Sequence, residues 1–181
     1  LPQSAPGLCL AGGVTLNCRL NELLRRTFQP RALFAQPGAN DAGTALGAAL
    51  EASALAGLPG PGIMEHAYLG PGFSAAEAEA ALKHAGLGFE RPRSVAQEAA
   101  ACLARGEVVC WCQGRLEFGP RALGNRSILA DPRQADMHGR VNRIKAREPW
   151  RPFGPAVLAG HEADWFAQAC GNQNHGDTGS R

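Results

Sequence analysis

Residues 114–131 read Gly-Arg-Leu-Glu-Phe-Gly-Pro-Arg-Ala-Leu-Gly-Asn-Arg-Ser-Ile-Leu-Ala-Asp, placing Arg115, Arg121 and Arg126, each near a glycine, beside Glu117, Asn125 and Ser127. That mixture suits an anion pocket. Glycine lets the backbone approach a ligand, and each planar guanidinium can aim two parallel, charge-assisted hydrogen bonds at a phosphate or carboxylate. An exposed loop with ordinary surface arginines has the same spacing. Residues 107–113 before the loop and 127–130 after it are short, apolar and turn-bounded. The pattern predicts two buried strands that hold the loop against a core and aim its side chains.

Two further places set glycines beside polar side chains. Residues 8–11 read as a short buried strand, after which Gly12-Gly13 turns into a helical pattern with Leu16, Leu20, Leu23 and Leu24 on one face. Free backbone N–H groups at such a helix start suit a phosphate, although a tight structural turn has the same sequence. A second short strand is predicted over 32–36, followed by Pro-Gly-Ala-Asn-Asp and a small-residue helix over 42–56 with Asp41 at its mouth. Asp41 reads as an N-cap worth about 1 kcal/mol, or as a carboxylate that holds a metal or a ribose. Gly43, Ala45, Gly47, Ala48 and Ala49 keep that helix thin, and its face is expected to be interior. Repeated Gly and Pro over 57–72 read as an interdomain linker, with His66 in it as a surface or packing residue.

The elements flanking the arginine loop follow from capping and periodicity. Ser74 and Glu77 form a capping-box pattern opening a helix to about residue 85, with Ala78, Ala81 and Leu82 on its buried side. Ser94 and Gln97 repeat the signal for a helix ending near Arg105 and Gly106. Asp131-Pro132 reads as an N-cap with proline at the first helical position, and Met137, Val141 and Ile144 as a core stripe. Arg140, Arg143, Lys145 and Arg147 form a charge run at the end of that helix, which Pro149, Pro152 and Pro155 close. Residues 156–159 are predicted as a last strand, and the polar stretch 171–181 as disordered.

A formal charge of +2 and 45% hydrophobic residues describe an ordinary globular chain and argue against binding nucleic acid or a membrane through net charge. No apolar run is long enough to span a bilayer, and no leader pattern opens the sequence, so a soluble, cytoplasmic protein is expected. Six cysteines in 181 residues do not make a disulfide scaffold. Buried free thiols are expected, and Cys110-Trp-Cys112 has no second pair at metal-ligand spacing.

Four blocks then stop being anonymous. Leu10-Ala-Gly-Gly-Val-Thr-Leu-Asn-Cys18, Gln36-Pro-Gly-Ala-Asn-Asp-Ala-Gly-Thr-Ala-Leu-Gly47, Glu117-Phe-Gly-Pro-Arg-Ala-Leu-Gly-Asn-Arg-Ser-Ile-Leu-Ala-Asp-Pro132 and Arg147-Glu-Pro-Trp-Arg-Pro-Phe153 resemble the O-carbamoyltransferases of the nodulation and antibiotic-tailoring family, from Gly7 to Leu158. The resemblance implies an α/β chain. Residues 1–57 would end an actin-like ATPase-fold module for carbamoyl transfer, 58–73 would link, 74–166 would be a partial synthase-like twisted-sheet domain, and 167–181 a disordered tail. It further implies that ATP, with Mg, and carbamoyl phosphate are condensed into carbamoyl-adenylate. The carbamoyl group then passes to a hydroxyl of a small, sugar-containing acceptor, helped by iron or a similar divalent metal.

Joining two polyanions needs fixed cations and backbone donors, which fits the residues above. Carried over by motif, Arg121 and Arg126 are the catalytic candidates, with Arg115, Asn125, Ser127, Lys145 and Arg147 as substrate-binding residues. Gly12, Gly13 and Asn17 resemble the turn that meets the nucleotide, and Asp41 the last metal ligand. The paired histidines that would share that metal are missing here, as is the Thr-Ser-Phe-Asn type segment with which the family continues past Phe166. The expected partners are therefore the small molecules and a preceding module of the same enzyme, with little synthase activity from this chain alone. A non-catalytic phosphate- or nucleotide-binding fragment and a carbamoyl-type tRNA modification enzyme are the alternatives, the balanced charge arguing against the latter.

Overall fold

The computed structural model describes residues 7–60, 62 and 64–166. Contacts divide the chain into two compact units, the first from the described part of Leu1–Pro71 with Arg115–Leu123, the second from Gly72–Gly114 with the described part of Gly124–Arg181. The class is mixed α/β with small sheets. Among the described residues no helix is long and apolar enough to cross a membrane.

In the first unit, β1 (Leu8–Leu10) pairs in parallel with β2 (Leu33–Ala35), Leu8 opposite Leu33 and Leu10 opposite Ala35. A parallel pair needs a crossover, and α1 (Cys18–Phe28) supplies it. The strands are half-buried rather than buried, and Cys9 faces outward between Leu8 and Leu10. The helix does not begin at the glycines. A 3-10 turn over Gly13–Leu16 intervenes, and Asn17 caps α1, its Oδ1 accepting the N–H groups of Arg19 and Leu20 at 3.1 and 3.3 Å. Leu20 and Leu24 are half-buried on α1 while Leu23 is exposed.

The small-residue helix α2 (Ala42–Leu55) buries no residue, which corrects the expected interior face. Its alanines and glycines offer little apolar area on any side, so no stripe sinks. Asp41 occupies the cap position but makes no side-chain cap bond, because its backbone is already helical. Thr44 Oγ1 instead donates to the Asp41 carbonyl at 2.6 Å.

In the second unit, α3 (Ala75–His84) opens with the complete capping box: Ser74 Oγ accepts the Glu77 N–H at 3.2 Å and Glu77 Oε2 accepts the Ser74 N–H at 2.8 Å. Ser94 caps α4 (Val95–Ala104) through its side chain, Oγ accepting the Gln97 N–H at 3.3 Å. β3 (Val109–Cys112) and β4 (Arg126–Leu129) pair antiparallel, Val109 opposite Leu129 and Cys112 opposite Arg126. One face carries half-buried Val109, Trp111, Ser127 and Leu129; the other carries exposed Cys110, Cys112, Arg126 and Ile128. Thus the thiols of Cys9, Cys18, Cys110 and Cys112 are free but exposed, Cys102 is half-buried, and the expectation of buried cysteines does not hold.

The helix α5 (Met137–Ile144) starts five residues later than Pro132. Asp131 closes a local turn instead, accepting the Arg133 backbone N–H at 3.0 Å and its guanidinium at 2.6 to 2.9 Å. Met137 and Val141 are buried as expected, but Ile144, at the helix end, is 54% exposed. Asn142 takes the third core position. Ala146 N–H bonds to the Arg143 carbonyl at 3.0 Å and Arg147 N–H to the Asn142 carbonyl at 3.2 Å, with Ala146 at φ 48°. This is a Schellman end with alanine where glycine is preferred. No strand forms over 156–159; a short α6 (Glu162–Trp165) follows, unanticipated from sequence. The stretch 171–181 lies outside the described residues.

Two outcomes follow for stability. Ala146→Gly removes a left-handed penalty of about 1 kcal/mol, partly offset by greater freedom when unfolded, and should raise stability by roughly 0.5 kcal/mol in urea denaturation. The Arg133 guanidinium beside Asp131, with the Arg133 N–H, holds its carboxyl below the usual aspartate range. A depressed carboxyl contributes stability above its unfolded value and loses it as pH falls through the folded one. Asp131→Asn should flatten the acid limb of the pH–stability curve and leave the alkaline limb unchanged.

Candidate functional site

Because β1 and β2 are parallel, both chain exits, Gly12 after β1 and residues 36–41 after β2, leave the same edge of the pair. In open α/β arrangements that carboxyl edge is where ligands sit. The two exits are tied together by Gly12 N–H to the Ala39 carbonyl, 2.8 Å. A third segment of the first unit closes on them. Gly119, at φ 95°, lies so near Pro37 that a Cβ would run into the Pro37 carbonyl, and a Cβ on Gly38 would strike the Phe118 ring. From this loop Arg121 extends Nη2 to the Leu16 carbonyl at 2.7 Å. The loop is closed from within by Glu117, 4% exposed, whose Oε1 accepts the Leu123 N–H at 2.8 Å.

Of the sequence candidates, then, Gly12, Gly13, Asn17, Asp41 and Arg121 gather at one edge of the first unit. Arg115 is directed elsewhere in it, its Nε and Nη2 each 2.9 Å from the carbonyls of Gly70 and Leu69. That segment also pairs by backbone, Gly70 N–H to the Leu116 carbonyl and Leu116 N–H to the Pro71 carbonyl, both 2.9 Å.

Sequence reasoning missed two asparagines at the first-unit edge. Asn40 and Asn21 each hold a buried Oδ1 without a hydrogen-bond partner, although Asn21 Nδ2 donates to the Thr15 carbonyl at 2.8 Å. An unmet buried acceptor costs about 1–3 kcal/mol, so each has capacity for a ligand donor. The signal for Asn21 was present as Asn17 and Asn21 at helical i, i+4 spacing. Nothing marked Asn40 beyond its neighbour Asp41.

The remaining candidates belong to the second unit. Arg126 opens β4 on its exposed face, and half-buried Ser127 accepts the Gly124 N–H on Oγ at 3.1 Å. The Asn125 carbonyl accepts the Gln113 N–H at 3.0 Å, continuing the β3–β4 ladder. Lys145 and Arg147 follow α5, where the negative helix end favours cations. Lys145 is exposed, whereas Arg147 is half-buried with Nε 2.6 Å from Asn142 Oδ1, Nη2 3.1 Å from the Pro152 carbonyl and Cζ 4.4 Å above the Phe153 ring.

No group of three His, Cys, Asp or Glu side chains suited to a metal forms among the described residues. Asp41 alone does not make a metal centre. An open depression of about 370 Å³ along α1, lined by Cys18, Arg19, Glu22, Leu23 and Arg26, includes none of the candidates.

The family profile described as Carbamoyltransferase N-terminus matches residues 3–50, and Carbamoyltransferase C-terminus matches residues 100–175. Nodulation protein NolO of Bradyrhizobium diazoefficiens is 46% identical over 164 residues, covering 88% of this chain and 30% of that protein. Nodulation protein NolNO of Sinorhizobium fredii is 48% identical over 164 residues, covering 88% and 24%. The 3'-hydroxymethylcephem-O-carbamoyltransferase of Amycolatopsis lactamdurans is 38% identical over 156 residues, covering 86% and 28%. The chain thus spans 24 to 30% of the length of these curated relatives.

The close approach at Gly119 sets a test. Gly119→Ala should destabilise the chain by at least about 2 kcal/mol, from the positive φ and the Pro37 carbonyl together. Gly13→Ala, with open space beside it and no positive φ, should stay within about 0.5 kcal/mol in the same denaturation assay.

Proposed function

Because the chain belongs to the carbamoyltransferase family, matched at residues 3–50 and 100–175, we propose that it is part of an O-carbamoyltransferase. In this reading the parent enzyme uses ATP and carbamoyl phosphate to make carbamoyl-adenylate and transfers the carbamoyl group to a hydroxyl of a small, sugar-containing acceptor. Residues 1–57 are the end of an actin-like ATPase-fold transfer module, and residues 74–166 a partial synthase-like domain. The cytoplasm, where both phosphorylated substrates are available, is its compartment.

One observation carries the reading: the Gly119 loop lies against the chain exit after β2, at Pro37 and Gly38, and Arg121 reaches the Leu16 carbonyl at the end of the 3-10 turn that follows β1. The Gly12 N–H is taken by the Ala39 carbonyl and the first N–H groups of α1 by Asn17, so the Arg121 guanidinium is what would offset phosphate charge at this edge. Gly12, Gly13 and Asn17 are assigned to the nucleotide, with Arg121 facing its phosphates. Arg126 is assigned to the reacting anion, and Arg115, Asn125, Ser127, Lys145 and Arg147 to substrate binding. Asp41 would supply one oxygen to an iron or similar ion whose other ligands come from the rest of the enzyme, and Mg would accompany ATP.

Calorimetry with ATP and with carbamoyl phosphate tests this. Arg121→Ala should weaken ATP, and Arg126→Ala carbamoyl phosphate, by about ten- to hundredfold, the loss of one charged hydrogen bond. Unchanged affinity in both would remove the anion pocket. Pyrophosphate release should be negligible for the chain alone and appear when the preceding module of the parent is added.

A further inference from the structure

The most deeply buried large side chain among the described residues is Asn142, at 1% exposure. It is no candidate for touching a ligand. Yet its amide is fully engaged: Nδ2 lies 3.1 Å from both the Pro149 and the Arg151 carbonyls, and Oδ1 accepts Arg147 Nε–H at 2.6 Å. Its backbone carbonyl accepts the Arg147 N–H as well, at 3.2 Å. One residue therefore holds Arg147 by main chain and by guanidinium.

The surroundings complete the grip. Phe153 supports one face of the Arg147 guanidinium at 4.4 Å, and Nη2 donates to the Pro152 carbonyl at 3.1 Å. His138 meets Phe153 edge-on at 5.5 Å, and its Nε2 donates to the Arg151 carbonyl at 2.9 Å, since a carbonyl can only accept. Nε and Nη2 are thereby fixed, while Nη1 keeps its N–H groups without a protein acceptor among the described residues. A guanidinium locked on one edge and open on another loses little rotamer freedom when an anion arrives.

We propose that Asn142 is a positioning residue that sets Arg147 to present Nη1 to a small phosphorylated anion. This rests on the substrate-binding role given to Arg147 above. The side-chain type matters at this place. A leucine would orphan Arg147 Nε and two carbonyls, and an aspartate would keep the Nε bond but turn its second oxygen on the Pro149 and Arg151 carbonyls.

The test uses the whole chain, carbamoyl phosphate as probe, and two readouts. In ¹⁵N-edited spectra the Arg147 Nε–H, assigned by its loss in Arg147→Lys, should be slowly exchanging. It should vanish in Asn142→Ser while the backbone amide spectrum stays folded, and persist in Asn142→Asp. In calorimetry Asn142→Ser should weaken carbamoyl phosphate about tenfold and have no added effect in an Arg147→Ala background. A protected Nε–H surviving in Asn142→Ser, or equal loss of affinity with and without Arg147, would overturn the proposal. If Asn142→Ser does not fold, the wild-type chain decides: an Arg147 Nε–H exchanging far more slowly than that of exposed Arg143 supports the proposal, and one exchanging as fast overturns it. Absence of carbamoyl phosphate binding by the wild-type chain would sink the function proposed above, leaving the resonance to settle the positioning by itself.

Discussion

The contact on which the first unit depends is the one between the Gly119 backbone and the Pro37 carbonyl. No side chain fits there. Residues 115–123 are distant in sequence from the β1–β2 pair, and closing so long a loop has an entropic cost that must be met by contacts made on arrival. Backbone against backbone is the closest approach a chain can make, and it is available only if Gly119 and Gly38 both lack Cβ. Once made, it sets how far the loop projects, and Arg121 then reaches the Leu16 carbonyl. Buried Glu117 fixes the loop from inside by taking the Leu123 N–H, so the arginine rides on a closed turn and not on a free strand.

The elements themselves were legible wherever a local rule governs. Ser74 with Glu77 and Ser94 with Gln97 announced two helices, and the structure forms both, because a cap is settled within four residues. The strands around the arginine loop were found within two residues at either end, since a short turn-bounded apolar run depends little on distant partners. Asp131-Pro132 misled. The carboxylate that would cap a helix had a stronger partner two residues on, the Arg133 guanidinium, and the helix waited until Met137. Burial was the least legible quantity: Cys110 and Cys112 look like core residues by type but share the open face of β3.

The candidate residues divide by the same logic. Glycines and arginines at fixed spacing could be read as a group, yet spacing says nothing of direction. Arg115 and Arg121, six positions apart on one loop, serve carbonyls at Leu69 and Gly70 in one case and at Leu16 in the other. Asn142 was invisible for a related reason. In a helical pattern of Met137, Val141 and Ile144 it falls beside the stripe, and only the returning chain at 149–153 supplies the carbonyls that make a buried amide tolerable.

Large apolar side chains left in solvent, among them Leu55 at 81%, Trp150 at 72% and Trp165 at 74%, show that these units bury less than their composition allows. Under that condition local polar networks carry an unusual share of the order. The end of α5 is the clearest instance. Ala146 sits in a left-handed conformation that alanine resists, and the Schellman bonds alone would favour glycine. What holds it is the residue on either side of the strain acting on one partner, Asn142 through its carbonyl and its amide, and Arg147 through its N–H and its Nε. Strain maintained by a buried network at the base of a half-exposed guanidinium is an arrangement that a merely solvated basic helix end would have no need to keep.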